Sequence, residues 1–246
     1  MEKTIISDIS LVIPCYNEEF RLNKEGFISF SQANPHVTLC LVNDGSKDKT
    51  KEIIEELQRD CHNIYSLHIS ENVGKAEAVR RGILYIKEQI QTSYIGYFDA
   101  DLSTPLDFAN QLQLILETEP QLWMVFGSRQ LAPQEKIKRR KRRHAAGRIV
   151  SKLINLSLNI HFADTQCGAK LFRRNTIEAL FEEPFVSTWV FDVELIHRIK
   201  KIHAHTSIES LVREIPVSSW HDVGESKVSP FYFFKLLREL VKIRRS

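Results

Sequence analysis

The chain has 246 residues, 43% hydrophobic and 26% charged, with 9 Gly and 8 Pro, a balance that fits one large or two small α/β domains and excludes extensive disorder. Its net charge of +3 is unevenly spread: residues 134–148 contribute +7 and residues 235–246 contribute +4, leaving −8 on the remainder. An acidic body with two basic patches implies local anionic partners, such as phosphate groups or a membrane surface.

The first half alternates strands and helices. Residues 10–14 form a short apolar run ending in Pro14 and read as a buried strand. Residues 37–42 repeat the pattern and break at Asn43-Asp44-Gly45-Ser46, a turn signal. A helix with Ile53, Ile54 and Leu57 on one side follows, then a third strand at 66–70. Over residues 75–90, Ala76, Val79, Ile83, Ile86 and Ile90 share one helical stripe, and residues 94–98 form a fourth strand. This alternation predicts parallel βαβ units with ligands at the carboxyl ends of the strands. Each turn signal so far falls at such an end.

The second half is less regular. The pattern predicts a helix over 105–118, a strand at 123–126, a loop running into a helix over 134–148, a helix near 189–203 and a late strand over 211–217. No repeat or interdomain linker stands out. The four cysteines, Cys15, Cys40, Cys61 and Cys167, lie far apart with no C-x-x-C pair, which argues against a zinc site and a disulfide framework. No signal-like region precedes the first strand, and no apolar run approaches the ~18 to 20 residues of a membrane span. The expectation is a reduced, cytoplasmic protein.

Asp99-Ala100-Asp101 directly follows the fourth strand. Carboxylates alternating at a strand end can face one hard cation, and that cation can bridge two phosphates and neutralise a departing diphosphate. The plainer alternative is that Asp101 or Ser103 caps the helix opening near Pro105.

In order, the chain reads Pro14-Cys-Tyr-Asn-Glu18, Val42-Asn-Asp-Gly-Ser46, Asn72-Val-Gly-Lys75 and Asp99-Ala-Asp101. This series resembles the inverting nucleotide-sugar glycosyltransferase family 2. The second half carries Gly127-Ser-Arg129, Asp164-Thr-Gln-Cys-Gly168 with Lys170-Leu-Phe172, Trp189 with Phe191-Asp-Val-Glu194, and Gly224-Glu-Ser-Lys227. Those segments look like dolichyl-phosphate β-glucosyltransferases. The chain departs from the family pattern at Asn43, at Ala76-Glu77 and at Ala169. The resemblance implies a GT-A type, Rossmann-like α/β/α fold with a mostly parallel central sheet. Residues 1–246 would be a single glycosyltransferase domain, with a nucleotide-sugar half over 8–104, an acceptor half over 105–230 and a basic amphipathic helix over 231–246. It also implies a nucleotide-diphosphate sugar donor, UDP-glucose first, a polyprenyl phosphate acceptor, and Mg²⁺ or Mn²⁺.

The resemblance carries roles residue by residue. Pro14, Tyr16 and Glu18 would line the nucleoside pocket, Asp44 would hold base or ribose, and Lys75 would sit near the diphosphate as a point charge. Asp99 and Asp101 would ligate the metal, with Ala100 between them in the donor site and Ser103 as a further partner. Arg129 is a candidate for the acceptor phosphate, because guanidinium forks match phosphate oxygens. Arg143 and Arg148 are near equals for the same role. A phosphate monoester is already largely ionised near neutrality, its second pKa being about 6, so Asp164 and Asp192 are expected to organise the pocket. A hydroxyl acceptor would need a general base, and Asp192 would be the first choice.

In the tail, Phe233, Leu236, Leu237, Leu240 and Val241 alternate with Lys235, Arg238, Lys242 and Arg245. Such a helix can lie in a membrane interface or pack on the body, and peripheral contact with an anionic membrane is the expectation. Within the enzyme class, a GDP-mannose donor or a saccharide hydroxyl acceptor is the alternative. From another class, the basic run 136–143 could bind nucleic acid, but it lacks interleaved aromatics and would leave the nucleotide-sugar motifs unexplained.

Overall fold

The computed structural model describes residues 6–133, 137–138, 141–221 and 232–246, side chains of 6–7, 137–138, 141–146 and 232–234 excepted. In chain order the elements are β1 (Ile6–Cys15), α1 (Lys24–Ala33), β2 (Val37–Asp44), α2 (Thr50–Asp60), β3 (Ile64–Ile69), α3 (Lys75–Gln89) and β4 (Gln91–Phe98). There follow α4 (Phe108–Thr118), β5 (Met124–Ser128), β6 (Ile137–Lys138), α5 (Lys141–Leu158), β7 (Ala169–Arg173) and α6 (Ile177–Phe181). The last are α7 (Phe191–Ile202), β8 (Val212–Pro216), β9 (Trp220–His221) and α8 (Tyr232–Arg245).

Seven strands form one sheet in the order β3-β2-β1-β4-β7-β5-β8. All its pairings are parallel except those of β7, which runs antiparallel between β4 and β5. β6 and β9 make a separate parallel pair. The sheet is buried on both faces, and alternate side chains of each strand feed two cores. Val12, Cys40, Val42, Ile95, Tyr97, Met124 and Phe126 join the core with α3 and α5–α8. Leu11, Ile13, Leu39, Leu41, Phe98 and Val125 join the core with α1, α2 and α4. The result is the expected three-layer α/β/α arrangement of the GT-A type.

The four strands expected in the first half form, as do helices α2 and α3. Five elements are additional, α1, β6, β7, α6 and β9. In α1, the Asn23 side chain accepts a hydrogen bond from the Gly26 amide at 2.9 Å, and Phe27, Phe30 and Ser31 turn inward. β7 carries a lysine in its middle, described below. α4 begins at Phe108, three residues later than the pattern suggests. The 134–148 segment contains β6 and enters α5, which continues to Leu158. The tail forms α8 as expected and packs on α5 and α7. Leu236, Leu240 and Ile243 are buried there, whereas Leu237 and Val241 remain exposed. No helix among the described residues is long and apolar enough to cross a membrane.

Candidate active site

Strand order reverses at β1, whose neighbours β2 and β4 lead outward in opposite directions, so their carboxyl ends open a crevice suited to ligands. The loop after β1 is stapled to the loop after β2. The amides of Asn17, Glu18 and Glu19 donate to Ser46 Oγ at 3.1 Å, Thr50 Oγ1 at 2.7 Å and Asp48 Oδ2 at 3.1 Å. Asn17 adopts φ 53 and returns the contact, its Oδ1 accepting from the Lys47 amide at 2.9 Å. Pro14 ends up half-buried and Tyr16 exposed at the rim. Glu18 is buried, and the Arg21 guanidinium grips it with bonds of 2.7 and 2.8 Å. Burial, against the pull of Arg21, raises the Glu18 carboxyl above its ordinary range, and the charges of Asp101 and Asp48 add to the rise.

Asp44, at the end of β2, turns its carboxylate to the loop before α3. It accepts from Asn72 Nδ2 at 2.9 Å, the Val73 amide at 2.8 Å and the Gly74 amide at 2.9 Å. Gly45 (φ 65) closes against the same loop, where a Cβ would fall 2.5 Å from the Asn72 amide nitrogen. Asp44 therefore shapes the approach to Lys75.

Lys75 opens α3, and its ammonium lies 2.5 Å from Asp99 Oδ1. Asp99 and Asp101 follow β4 on a tight turn in which Leu102 takes φ 52. Such a positive φ is uncommon outside glycine and asparagine, so the turn is held under strain. Asp101 Oδ1 accepts from the Ser103 amide at 2.9 Å within this turn, whereas α4 starts only at Phe108 with Asp107 at its N-cap, so Asp101 does not cap that helix. Ala100 and Ser103 are buried beneath the turn. Partial desolvation in the crevice opposes the charge on Lys75, but Asp99, Asp192 and Asp101 outweigh it and raise its pKa. The sequence-expected Lys75, Asp99, Asp101 and Asp192 are thus within electrostatic reach of one another.

Beneath them lies a buried polar layer. Lys170, fully buried in β7, donates to the Cys167 carbonyl at 2.6 Å and pairs with Asp192 Oδ1 at 2.6 Å. The Tyr97 hydroxyl from β4 also bonds to Asp192 Oδ1. Burial first, then the charge of Asp192, push that hydroxyl's pKa well above the usual tyrosine range. Gly168, just before β7, accepts from the Asp99 amide at 3.0 Å.

Arg129, after β5, makes a two-pronged ion pair with Asp164, Nε to Oδ2 at 2.6 Å and Nη2 to Oδ1 at 2.7 Å. Although burial works against it, Asp164 raises the arginine's pKa still further. Glu214 of β8 accepts the amides of Ala163 and Asp164 at 2.7 and 2.6 Å, fixing the backbone under that pair. Arg148 is exposed on α5, while the Arg143 side chain and residues 224–227 lie outside the described residues.

Asp48, Thr50, Arg21, Tyr97, Lys170 and Glu214 were not read from the sequence as site residues. Asp48 and Thr50 carried a signal, a Ser-x-Asp-x-Thr run opening a helix. The others are single polar residues whose partners lie far along the chain.

Paired carboxylates at the fourth strand end of a doubly covered, mostly parallel sheet form a crevice that can receive a diphosphate with a divalent cation. The model of glycosyl transferase family 2 matches residues 10–181, and the chain belongs to that family and is a glycosyltransferase. It is 31% identical over 247 residues to dolichyl-phosphate beta-glucosyltransferase ALG5A of Trichomonas vaginalis, covering 96% of this chain and 72% of that one. The Saccharomyces cerevisiae dolichyl-phosphate beta-glucosyltransferase is 29% identical, covering 96% and 74%. Among solved structures, Mycobacterium tuberculosis glucosyl-3-phosphoglycerate synthase superposes with a TM-score of 0.66 at 16% identity, covering 96% of this chain and 80% of that chain. That structure holds Mn²⁺, uridine diphosphate and glucosyl-3-phosphoglycerate.

Proposed function

We propose that this chain transfers glucose from UDP-glucose to a polyprenyl phosphate, with inversion at the anomeric carbon. The observation that carries this reading is the state of two buried carboxylates, Asp164 and Asp192. Asp164 spends both oxygens on Arg129, and Asp192 is bonded to Lys170 and Tyr97. Both carboxylates are thus committed to side-chain partners and are poorly placed to meet an acceptor hydroxyl. A phosphate acceptor needs no base, so alignment and stabilisation of the departing diphosphate are sufficient. Relatives named dolichyl-phosphate beta-glucosyltransferase support the same acceptor and sugar.

The donor set fits a divalent cation. Asp99 and Asp101 supply hard carboxylate oxygens at one turn, and an ammonium already sits on Asp99. Mg²⁺ and Mn²⁺ are held well by one or two carboxylates plus phosphate oxygens. When bound, the cation would neutralise charge on the leaving diphosphate. Around it, Lys75 offers a further positive charge to the diphosphate, Pro14, Tyr16 and Glu18 border the nucleoside, and Asp44 holds the loop that carries Lys75. Arg148 and Arg143 on α5 are the acceptor-phosphate candidates, while Arg129 commits its Nε and Nη2 to Asp164.

A polyprenyl chain stays in its bilayer, so the enzyme must work at that surface. α5 and α8 pack together and expose Ile149, Leu156, Leu237 and Val241 among Arg148, Lys152, Lys235, Arg238, Lys242, Arg244 and Arg245. That mixture suits peripheral contact with an anionic leaflet.

The test is transfer from UDP-[¹⁴C]glucose to dolichyl phosphate in detergent with Mn²⁺ or Mg²⁺, run beside GDP-mannose. Product from UDP-glucose, lost with EDTA and in Asp99→Ala and Asp101→Ala, is expected. Faster transfer from GDP-mannose would reassign the donor, and transfer only to a saccharide would reassign the acceptor.

A further inference from the structure

Lys75 occupies an electrostatically awkward place. It stands in the first turn of α3, where the helix dipole disfavours a cation. Its side chain is 44% exposed and that of Asp99 38%, so their 2.5 Å contact is open to solvent. Exposed pairs of this kind add little to stability. The contact does, however, occupy Oδ1 of the carboxylate that the proposed function assigns to a divalent cation. The neighbouring carboxylates are already engaged, Asp192 by Lys170 and Tyr97, and Asp101 in part by the Ser103 amide. An ammonium on Asp99 therefore competes with any metal ion for a solvent-open negative charge in the crevice.

We propose that Lys75 is an exchangeable counter-ion that makes cation capture at Asp99 and Asp101 depend on a nucleoside diphosphate. Diphosphate oxygens draw the ammonium off Asp99, and the vacated carboxylate then takes the metal together with those same oxygens. The proposal rests on the reading of Asp99 and Asp101 as the cation site. Its thermodynamic content is a positive coupling between metal and nucleotide, which must be reciprocal.

The experiment measures Mn²⁺ binding by electron paramagnetic resonance of the free ion, without nucleotide, with UDP and with GDP. It uses the full chain and the variants Lys75→Met and Asp99→Asn. Wild type should bind Mn²⁺ alone weakly, and the better nucleotide should tighten it by about 10- to 100-fold, within the usual range of coupling. Lys75→Met should bind Mn²⁺ alone roughly tenfold tighter than wild type, and its nucleotide effect should shrink by the same factor. Circular dichroism should show both variants folded, since both side chains are partly exposed. If Lys75→Met binds Mn²⁺ alone no tighter, or keeps the full nucleotide effect, while Asp99→Asn abolishes binding, the counter-ion role is wrong and the metal site stands. If Asp99→Asn leaves Mn²⁺ binding intact with nucleotide present, the metal site fails and the counter-ion role falls with it.

Discussion

The alpha carbon of Gly168 is set against the Asp99 carboxylate so closely that a Cβ there would lie 1.9 Å from Oδ2. Glycine at 168 is therefore a condition for where Asp99 points. Gly168→Ala should push the carboxylate aside and lower kcat on the order of 100-fold, the scale of a 1 Å misplacement. Because Asp99 sits at the mouth and can swing outward, the melting temperature should change little. Steady-state kinetics beside a thermal melt checks both halves. An alanine variant with full turnover would mean that the position of Asp99 does not matter.

The Arg129–Asp164 pair makes a different prediction. The side chains are 19% and 6% exposed, so removing one partner strands a mostly buried charge, at a cost of about 3–5 kcal/mol. Arg129→Ala should then lower Tm by roughly 6–20 °C, at about 2–4 °C per kcal/mol for a chain of this size. From sequence alone the same substitution would be expected to cut turnover chiefly. Arg148→Ala, on an exposed helical face, should hold Tm within about 2 °C, given a surface cost under ~0.5 kcal/mol. Differential scanning calorimetry of the two variants separates them.

Lys170, Asp192 and Tyr97 should behave as one unit. Lys170→Met leaves Asp192 buried without its cation and should destabilise by about 3 kcal/mol or more. Asp192→Asn should do comparable harm by stranding the fully buried lysine. The double variant should be less damaged than the sum of the two, with a coupling energy of about 1–3 kcal/mol. Urea melts of the four proteins close the cycle, and strictly additive losses would contradict the network.

On α8, inward and outward apolar residues can be told apart. Leu237 and Val241 are 47% and 48% exposed, whereas Leu240 is 1% exposed. Leu237→Ser with Val241→Ser should leave the fold intact and weaken co-sedimentation with phosphatidylserine vesicles. Leu240→Ser should instead destabilise by about 2–5 kcal/mol, as loss of a core leucine does. Raising salt should release the wild type, because each basic residue near the leaflet contributes about 1 kcal/mol that ions screen. Equal recovery in the supernatant with and without vesicles would remove the membrane from the picture.

The legible parts of this molecule were those where one stretch of chain carries its own signal. β1, β2 and β4 are apolar runs closed by turn residues, and α3 has a full stripe, so their period gives them away. Asp99 and Asp101 were visible because they sit side by side at a strand end. β7 was hidden by Lys170, which breaks an apolar run and is tolerated only because Asp192, more than twenty residues later, neutralises it. α1 was obscured by Gly26 and two serines, and its one short-range cue is the cap at Asn23. On α8 the stripe was real but its rotation was not readable, since Leu237 and Ile243 are equally apolar and only packing against α5 and α7 chooses between them.

The antiparallel β7 also sets a timetable for synthesis. It is the strand that covers the outer edge of β4 and links β5 to the rest of the sheet, yet it leaves the ribosome some seventy residues after β4. At about 5–20 residues per second, that edge waits roughly 4–15 s for its partner. During the wait β5 is already made and runs in the direction that would let it pair with β4 in parallel. Such a pairing would leave no slot for β7, and neither Lys170 nor Gly168 would reach the crevice. The nascent chain thus passes through an interval in which an open strand edge invites the wrong neighbour or another chain, and chaperone occupancy of ribosomes stalled between residues 100 and 170 is where that hazard would register.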